Sequence, residues 1–268
     1  MGRGVSDDGH PWRFAFAVSE GTSHASSNTP CQDQALCRAI NTAGGDVLIG
    51  VVCDGAGSAA HAEVGAWLAA QTMAELVELH FEEGGSMADV DLACGRAWVA
   101  RVADTLTRHA AAEGRAVRDY ACTLLTAIVG TTGAAFIQVG DGAIVISRGE
   151  EEDWSYVFWP QHGEFANTTN FVISHDATDA LEFAYVPERL QEVSLFSDGL
   201  ENLVLHHATR TVFEPFFRRM VAPVRRLAAP GMDAGLSATL ATYLASPSVC
   251  ERTDDDKSLI LASRLPAA

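Results

Sequence analysis

The chain has 268 residues, 48% hydrophobic and 20% charged, with a formal charge of −17. That composition describes a globular protein with a substantial core, and the charge disfavours nucleic acid and anionic membranes while favouring cations and basic partners. No apolar run is long enough to span a bilayer and the N-terminus has no apolar signal core; the sequence therefore predicts a cytoplasmic protein. Its six cysteines (31, 37, 53, 94, 122 and 250) show no C-x-x-C pair, and are expected to stay reduced.

In chain order, "WRFAFAVS" (12–19) predicts a first strand and "GTSHASSNTPCQDQ" (21–34) a polar loop. Residues 35–40 and 47–53 predict two strands. From Glu63 the period changes, and Val64, Trp67, Leu68, Met73, Leu76 and Val77 mark one face of a helix to about residue 82. A second helix carries Leu92, Trp98, Val99, Val102 and Leu106. "CTLLTAIVG", "AAFIQVG" and "AIVISRG" predict a meander of strands. Residues 150–170 are expected to be irregular, 171–174, 182–186 and 191–197 to be strands, 200–246 to be helical and 258–263 to be the last strand. No repeat or linker interrupts this order, so the reading is one domain over 1–268, with its core at about 14–264. Strands and helices come in separate runs, which is the pattern of a layered α+β fold, here two antiparallel sheets flanked by helices.

Asp54-Gly55, Asp141-Gly142 and Asp198-Gly199 each follow a β-rich run. One Asp-Gly is an ordinary turn. Repeated at strand ends, together with Asp33 and Asp254-Asp255-Asp256, these acids sit on the rim of a sheet, where carboxylates converge on a cation. Carboxylates with waters and a carbonyl are the ligand set of magnesium or manganese, and no His- or Cys-rich spacing argues for zinc. The competing reading is a solvated acidic face of turn residues.

Six motifs, in order, carry a resemblance. "CQDQAL" stands where a known family has Asn-Glu-Asp, and "VVCDGAGSAAHAEVGA" resembles its Asp-Gly-x-Gly-Gly motif. "ACTLLTAIVG" resembles its Gly-Ser-Thr-Ala strand, "VGDGAIVI" its Gly-Asp-Ser-Arg, "LFSDGLENL" its Ser-Asp-Gly-Leu and "DDDKSLIL" its final Asp-Asn-x-Thr strand. The sequence thus resembles the metal-dependent protein serine/threonine phosphatases of the protein phosphatase 2C type, in their divergent bacterial branch.

The resemblance implies a central β-sandwich with helices on both faces. It also implies hydrolysis of phosphoserine and phosphothreonine by metal-activated water, without a phosphoenzyme. The cofactors implied are two divalent cations, manganese or magnesium, with a weaker third. Asp54 matches the aspartate that bridges both metals, Gly55 the glycine whose carbonyl binds one, and Asp198 and Asp255 the remaining ligands of the first metal. Asp256 takes the Asn position, Asp33 matches the acid that orients water, and Asp119 matches a third-metal aspartate. Asp141 is read as structural, holding a turn.

Two departures stand out. The family's metal-contacting Glu is Gln32 here, and its phosphate-binding Arg falls at Asn28. With no Arg between 14 and 37, His24 is the candidate substrate-binding cation of that loop, against a plain loop-ordering role. "WPQHGEFANTTNF", with His162 and Glu164, is a candidate cover for the cleft. A phosphoprotein substrate and a cognate serine/threonine kinase are the implied partners. The alternative is a phosphatase-fold regulatory or binding module with weak or no turnover, which Gln32 and the missing Arg motivate.

Overall fold

The computed structural model describes residues 11–149, 154–160 and 169–265. The chain opens with β1 (Trp12–Ser19), a short helix α1 (Thr22–Ser27), then β2 (Gln34–Thr42) and β3 (Gly45–Cys53). Two long helices, α2 (Ala62–Glu82) and α3 (Leu92–Ala112), precede β4 (Leu124–Val129), β5 (Ala134–Val139), β6 (Ala143–Ser147) and β7 (Trp154–Tyr156). Next come α4 (Ala177–Ala180), β8 (Glu182–Val186), β9 (Glu192–Phe196), α5 (Glu201–Val204), β10 (Leu205–His206) and β11 (Thr211–Val212). The chain then runs through α6 (Glu214–Arg225), β12 (Gly231–Met232), α7 (Ala234–Leu244), α8 (Pro247–Cys250) and β13 (Lys257–Arg264).

Two sheets face one another. One has the order β2-β3-β4-β5-β8 and the other β12-β1-β13-β9-β6-β7. Every pairing in them is antiparallel except β1 with β12, so the edge of the second sheet carries one parallel pair. Trp12, Phe14, Leu48, Val52, Phe136, Leu195 and Ile260 form the core between the sheets. β4 and β13 are buried along their whole length, which is why their sequences are near-continuous rather than alternating.

The outer faces are covered by helices. Met73 and Val77 of α2, with Trp98, Val102 and Leu106 of α3, pack on the five-stranded sheet. Phe217 and Val221 of α6, with Leu240 and Leu244 of α7, pack on the six-stranded one. Asp91 and Asp233 cap α3 and α7 by accepting from Cys94 N at 2.8 Å and Leu236 N at 2.6 Å. Among the described residues no helix is long and apolar enough to cross a membrane.

Five local expectations are corrected. The loop 21–34 contains α1, whose Ser26 and Ser27 hydroxyls donate back to the Ser23 carbonyl. The strands of 122–149 are not one meander, because β6 leaves β5 and pairs with β9 and β7 in the other sheet. β7 lies inside the stretch expected to be irregular, held by its pairing with β6. Residues 171–174 form a turn, closed by Ser174 N donating to Phe171 O, rather than a strand. The helical region 200–246 is broken by the β10–β11 hairpin and by β12, which adds to β1.

Candidate active site

The site is built at the rim where β3, β9 and β13 meet the β1–β2 connection. Asp54 follows β3, and its peptide is fixed on both sides by Thr123: Asp54 N donates to Thr123 Oγ1 at 2.9 Å, and Thr123 N donates to Asp54 O at 2.8 Å. Gly55 N donates to Gln32 O at 3.1 Å. A Cβ at Gly55 would lie 2.7 Å from Ala62 Cβ and 2.8 Å from Gln32 O, so only glycine lets the β3 end, α2 and the segment before β2 approach this closely. Asp198 follows β9, and a Cβ on the next residue, Gly199, would fall 1.9 Å from Asp256 O. The β9 and β13 ends therefore touch through bare backbone.

Asp256 ties the remaining loop to this rim. It is 2% exposed, and its Oδ1 accepts from Gly21 N and its Oδ2 from Gln32 N, both at 2.6 Å. His24, on α1, places Nδ1 2.8 Å from Asp256 Oδ2, out of line for an aligned hydrogen bond.

These elements enclose a cleft of about 160 Å³ walled by Asp54, Asp141, Asp198 and Asp255, with His24 at its rim and no Lys or Arg among the described residues of its lining. Asp33 sits behind it, 5% exposed. Its Oδ2 accepts from Ser197 Oγ at 2.6 Å and Ser258 Oγ at 2.8 Å, while Oδ1 has no partner. Asp198 Oδ1 and Gln32 Oε1 are also buried without partners.

Crowding shows in the acidities. Burial pushes Asp33 up to about 8 against the pull of its two hydroxyl partners, and Asp256 and Asp198 push the same way. Asp54 is held well above the ordinary carboxylate range by burial, then by Asp33 and Asp198. Asp198 rises to about 6, chiefly by burial, with its hydrogen bond to Asp54 pulling down. Burial also raises Asp255, and lifts Glu201 to about 7 beside Asp198. Such a cluster cannot ionise fully at neutral pH without added positive charge.

The donor set fits a hard divalent cation. The donors are carboxylate oxygens, two of them buried and unpartnered, beside the glycine backbone. Among the described residues no three His, Cys, Asp or Glu side chains form a ready-made cage.

Residues 20–242 match the family described as Protein phosphatase 2C. The chain belongs to the protein phosphatase 2C family. Serine/threonine-protein phosphatase 3 of Escherichia coli (strain K12) is 34% identical over 253 residues, spanning 94% of this chain and 98% of that one. Among solved structures, the Mycobacterium tuberculosis serine/threonine phosphatase PstP/Ppp shares the fold at TM-score 0.64 and 16% identity, over 95% of this chain and 99% of that one. Stp1 from Staphylococcus aureus does so at 0.62 and 14%, over 99% and 100%. A PstP catalytic domain solved in complex with two manganese ions superposes at 0.61 and 14%, over 95% and 99%. This chain is accordingly a phosphoprotein phosphatase.

Within this protein phosphatase 2C site the predicted residues are distributed unevenly. Asp54, Gly55, Asp198, Asp255 and His24 line the cleft, while Asp33 and Gln32 are buried next to it. Asp119 does not line it: its carbonyl accepts from His61 N and its carboxylate lies 4.0 Å from Arg118 Nε. Asn28, at the family's arginine position, is the left-handed C-cap of α1 with φ of 57°, a conformation that asparagine tolerates better than most residues. His162 and Glu164 lie outside the described residues.

Asp141 does more than the turn role expected of it. It forms a cleft wall, accepts from Thr169 Oγ1 at 2.5 Å and raises Asp198. Its Asp-Gly after a strand, the same signal that flagged Asp54, was the available clue. Thr123, Ser197 and Ser258 had no such signal, because they act through partners brought in by sheet pairing.

Proposed function

We propose that the chain hydrolyses phosphoserine and phosphothreonine in proteins, using two divalent cations, manganese or magnesium. One observation carries this reading: the cleft is walled by four aspartates, with no Lys or Arg side chain among the described residues that line it. A phosphate dianion entering it without cations is opposed by each of these carboxylates that is ionised, at about 4 kcal/mol per contact near 4 Å for an effective dielectric of 20. Asp54, Asp198, Asp255 and the Gly55 carbonyl would hold the first cation. Asp54 would share the second, with Gln32 beside it. Bound there, the cations neutralise charge on the transferring phosphoryl group and make water a better nucleophile at neutral pH.

The chain's own groups do the rest. The Asp33 carboxylate, locked by Ser197 and Ser258, presents its unpartnered Oδ1 as the atom that orients water and takes its proton. Cys53 and Cys122 beside the cleft are fully buried, and burial holds both thiols up, Cys122 at about 12. Neither is a usable nucleophile, and Thr123 Oγ1 is engaged by Asp54 N. Direct attack by water, without a phosphoenzyme, is the route these residues favour. A kinase acting on the same protein substrate is the partner such chemistry requires.

The test is turnover of p-nitrophenyl phosphate and a phosphothreonine peptide after chelation, with and without added manganese. Wild type should regain activity with the metal. Asp54→Asn should stay inactive while keeping its circular dichroism. Wild-type-like activity in Asp54→Asn sinks the metal reading. Manganese binding without turnover in wild type favours the binding-module alternative.

A further inference from the structure

We propose that the opposite end of the six-stranded sheet is a second anion site, which takes a small phosphorylated compound bearing two or more negative charges. A cavity of about 400 Å³ opens there, lined among the described residues by Arg13, Arg148, Arg225 and Arg264, with Glu192 and Ser263. Sheet register brings the row together: Arg13 pairs with Ser263, Ser263 with Glu192, and Glu192 with Ser147, next to Arg148. Arg225 comes from the last turn of α6. At about 3.3 Å per residue, the eight residues from Asp256 to Arg264 put this row roughly 26 Å from the catalytic cleft.

Two of the guanidiniums are buried and make no ion pair among the described residues, with Glu192 and Asp46 acting on Arg13 and Arg264 only at a distance. Arg13 is 4% exposed and donates to the carbonyls of Arg225, Leu227 and Arg264 at 2.5, 3.1 and 3.0 Å. Its Nε has no partner. Arg264 is 0% exposed, lies over the Trp12 ring at 4.2 Å, and donates to Leu190 O at 3.2 Å and Gly130 O at 2.7 Å. Its Nη1 has no partner, and neither has Ser263 Oγ. The nearby described acids pair with the two outer guanidiniums of the row, Glu192 with Arg225 through Nε and Nη2 and Glu188 with Arg148 at 2.5 Å, which leaves Arg13 and Arg264 to the cavity.

The bland explanation is that these arginines staple strand ends and the cavity holds water. Carbonyls and water do satisfy N–H donors, but they leave buried charge unneutralised, and that is the costly part. Burial accordingly lowers both guanidiniums, Arg264 to about 10 with Arg189 adding to the effect. An anion relieves the whole imbalance, and planar forked donors match phosphate oxygens. The cavity is roomier than one phosphate needs and falls at the small end of ligand sites. A chain with a formal charge of −17 repels anions elsewhere, which makes a basic pocket of this kind selective by contrast.

The experiment is calorimetric titration of inorganic pyrophosphate into the full chain in excess EDTA, where the acidic cleft has no cation to attract an anion. One saturable site per chain at sub-millimolar concentration is expected. Arg264 is too deeply built into the fold to be the first variant. Arg148→Gln should weaken binding about tenfold and Ser263→Ala several-fold, while Asp54→Asn leaves it unchanged. The proposal is overturned by an absence of saturable binding in wild type. It is equally overturned by wild-type affinity in both Arg148→Gln and Ser263→Ala, by loss of binding in Asp54→Asn, or by crystals grown with pyrophosphate that show only water in this cavity.

Discussion

Asp33→Asn should stabilise the metal-free enzyme at alkaline pH. The folded state raises this carboxyl from 3.8 to about 8, so it binds the proton far more tightly than the unfolded chain does. The stability this confers is fully present below about pH 4 and is lost as pH rises through 8. At about 1.4 kcal/mol per pH unit the ceiling is on the order of 5 kcal/mol, and water entry with local relaxation should reduce the observed fall to about 2–4 kcal/mol. Asp198 at about 6, Glu201 at about 7 and Asp54 push in the same direction. An asparagine at 33 keeps an oxygen for the Ser197 and Ser258 hydroxyls and removes the ionisation. Urea unfolding in EDTA at pH 5, 6.5 and 8 should show wild type losing stability with pH and the variant losing less. The variant should be about 2 kcal/mol the more stable at pH 8. Manganese at a hundred times its Kd should return about 2.7 kcal/mol to wild type. Wild-type stability that is flat or rising from pH 5 to 8 in EDTA would refute the reasoning, as would a variant weaker than wild type at pH 8.

Two further substitutions probe the departures from the family pattern. Gln32→Glu places a harder ligand beside the second cation, so half-maximal activity should need less manganese; an equal or higher requirement removes residue 32 from the metal's surroundings. His24→Ala should raise KM more than it lowers kcat, and His24→Arg should recover part of the loss. Unchanged phosphopeptide affinity in His24→Ala would leave His24 as an anchor for Asp256 only.

What could be read from the sequence was whatever repeats a local physical signal. Asp54 and Asp198 announce themselves as Asp-Gly after buried strands, and α2 and α3 by their apolar period. What could not be read depends on distant partners. Phe171-Val172-Ile173 has strand composition, but Val172 N donates to Cys122 O and the segment turns under the cleft instead. Trp154–Tyr156 sits in acidic, aromatic surroundings and becomes a strand only because β6 offers an edge. Arg13, Arg148, Arg225 and Arg264 are far apart along the chain, and sheet register together with the end of α6 gathers them.

The pairing of β1 with β13 bears on how the protein is made. Eight residues from the start of the described chain find their partner only in residues 257–264. At about 5–20 residues per second, a ribosome leaves "WRFAFAVS" without that partner for roughly 10–50 s. The β2–β3 and β4–β5 hairpins, joined through α2 and α3, pair with one another within residues 34–139 and can form while synthesis continues. The nascent enzyme thus has Asp54 in place early and Asp255 last, and until then carries an apolar, unpaired strand of the kind that chaperones shield.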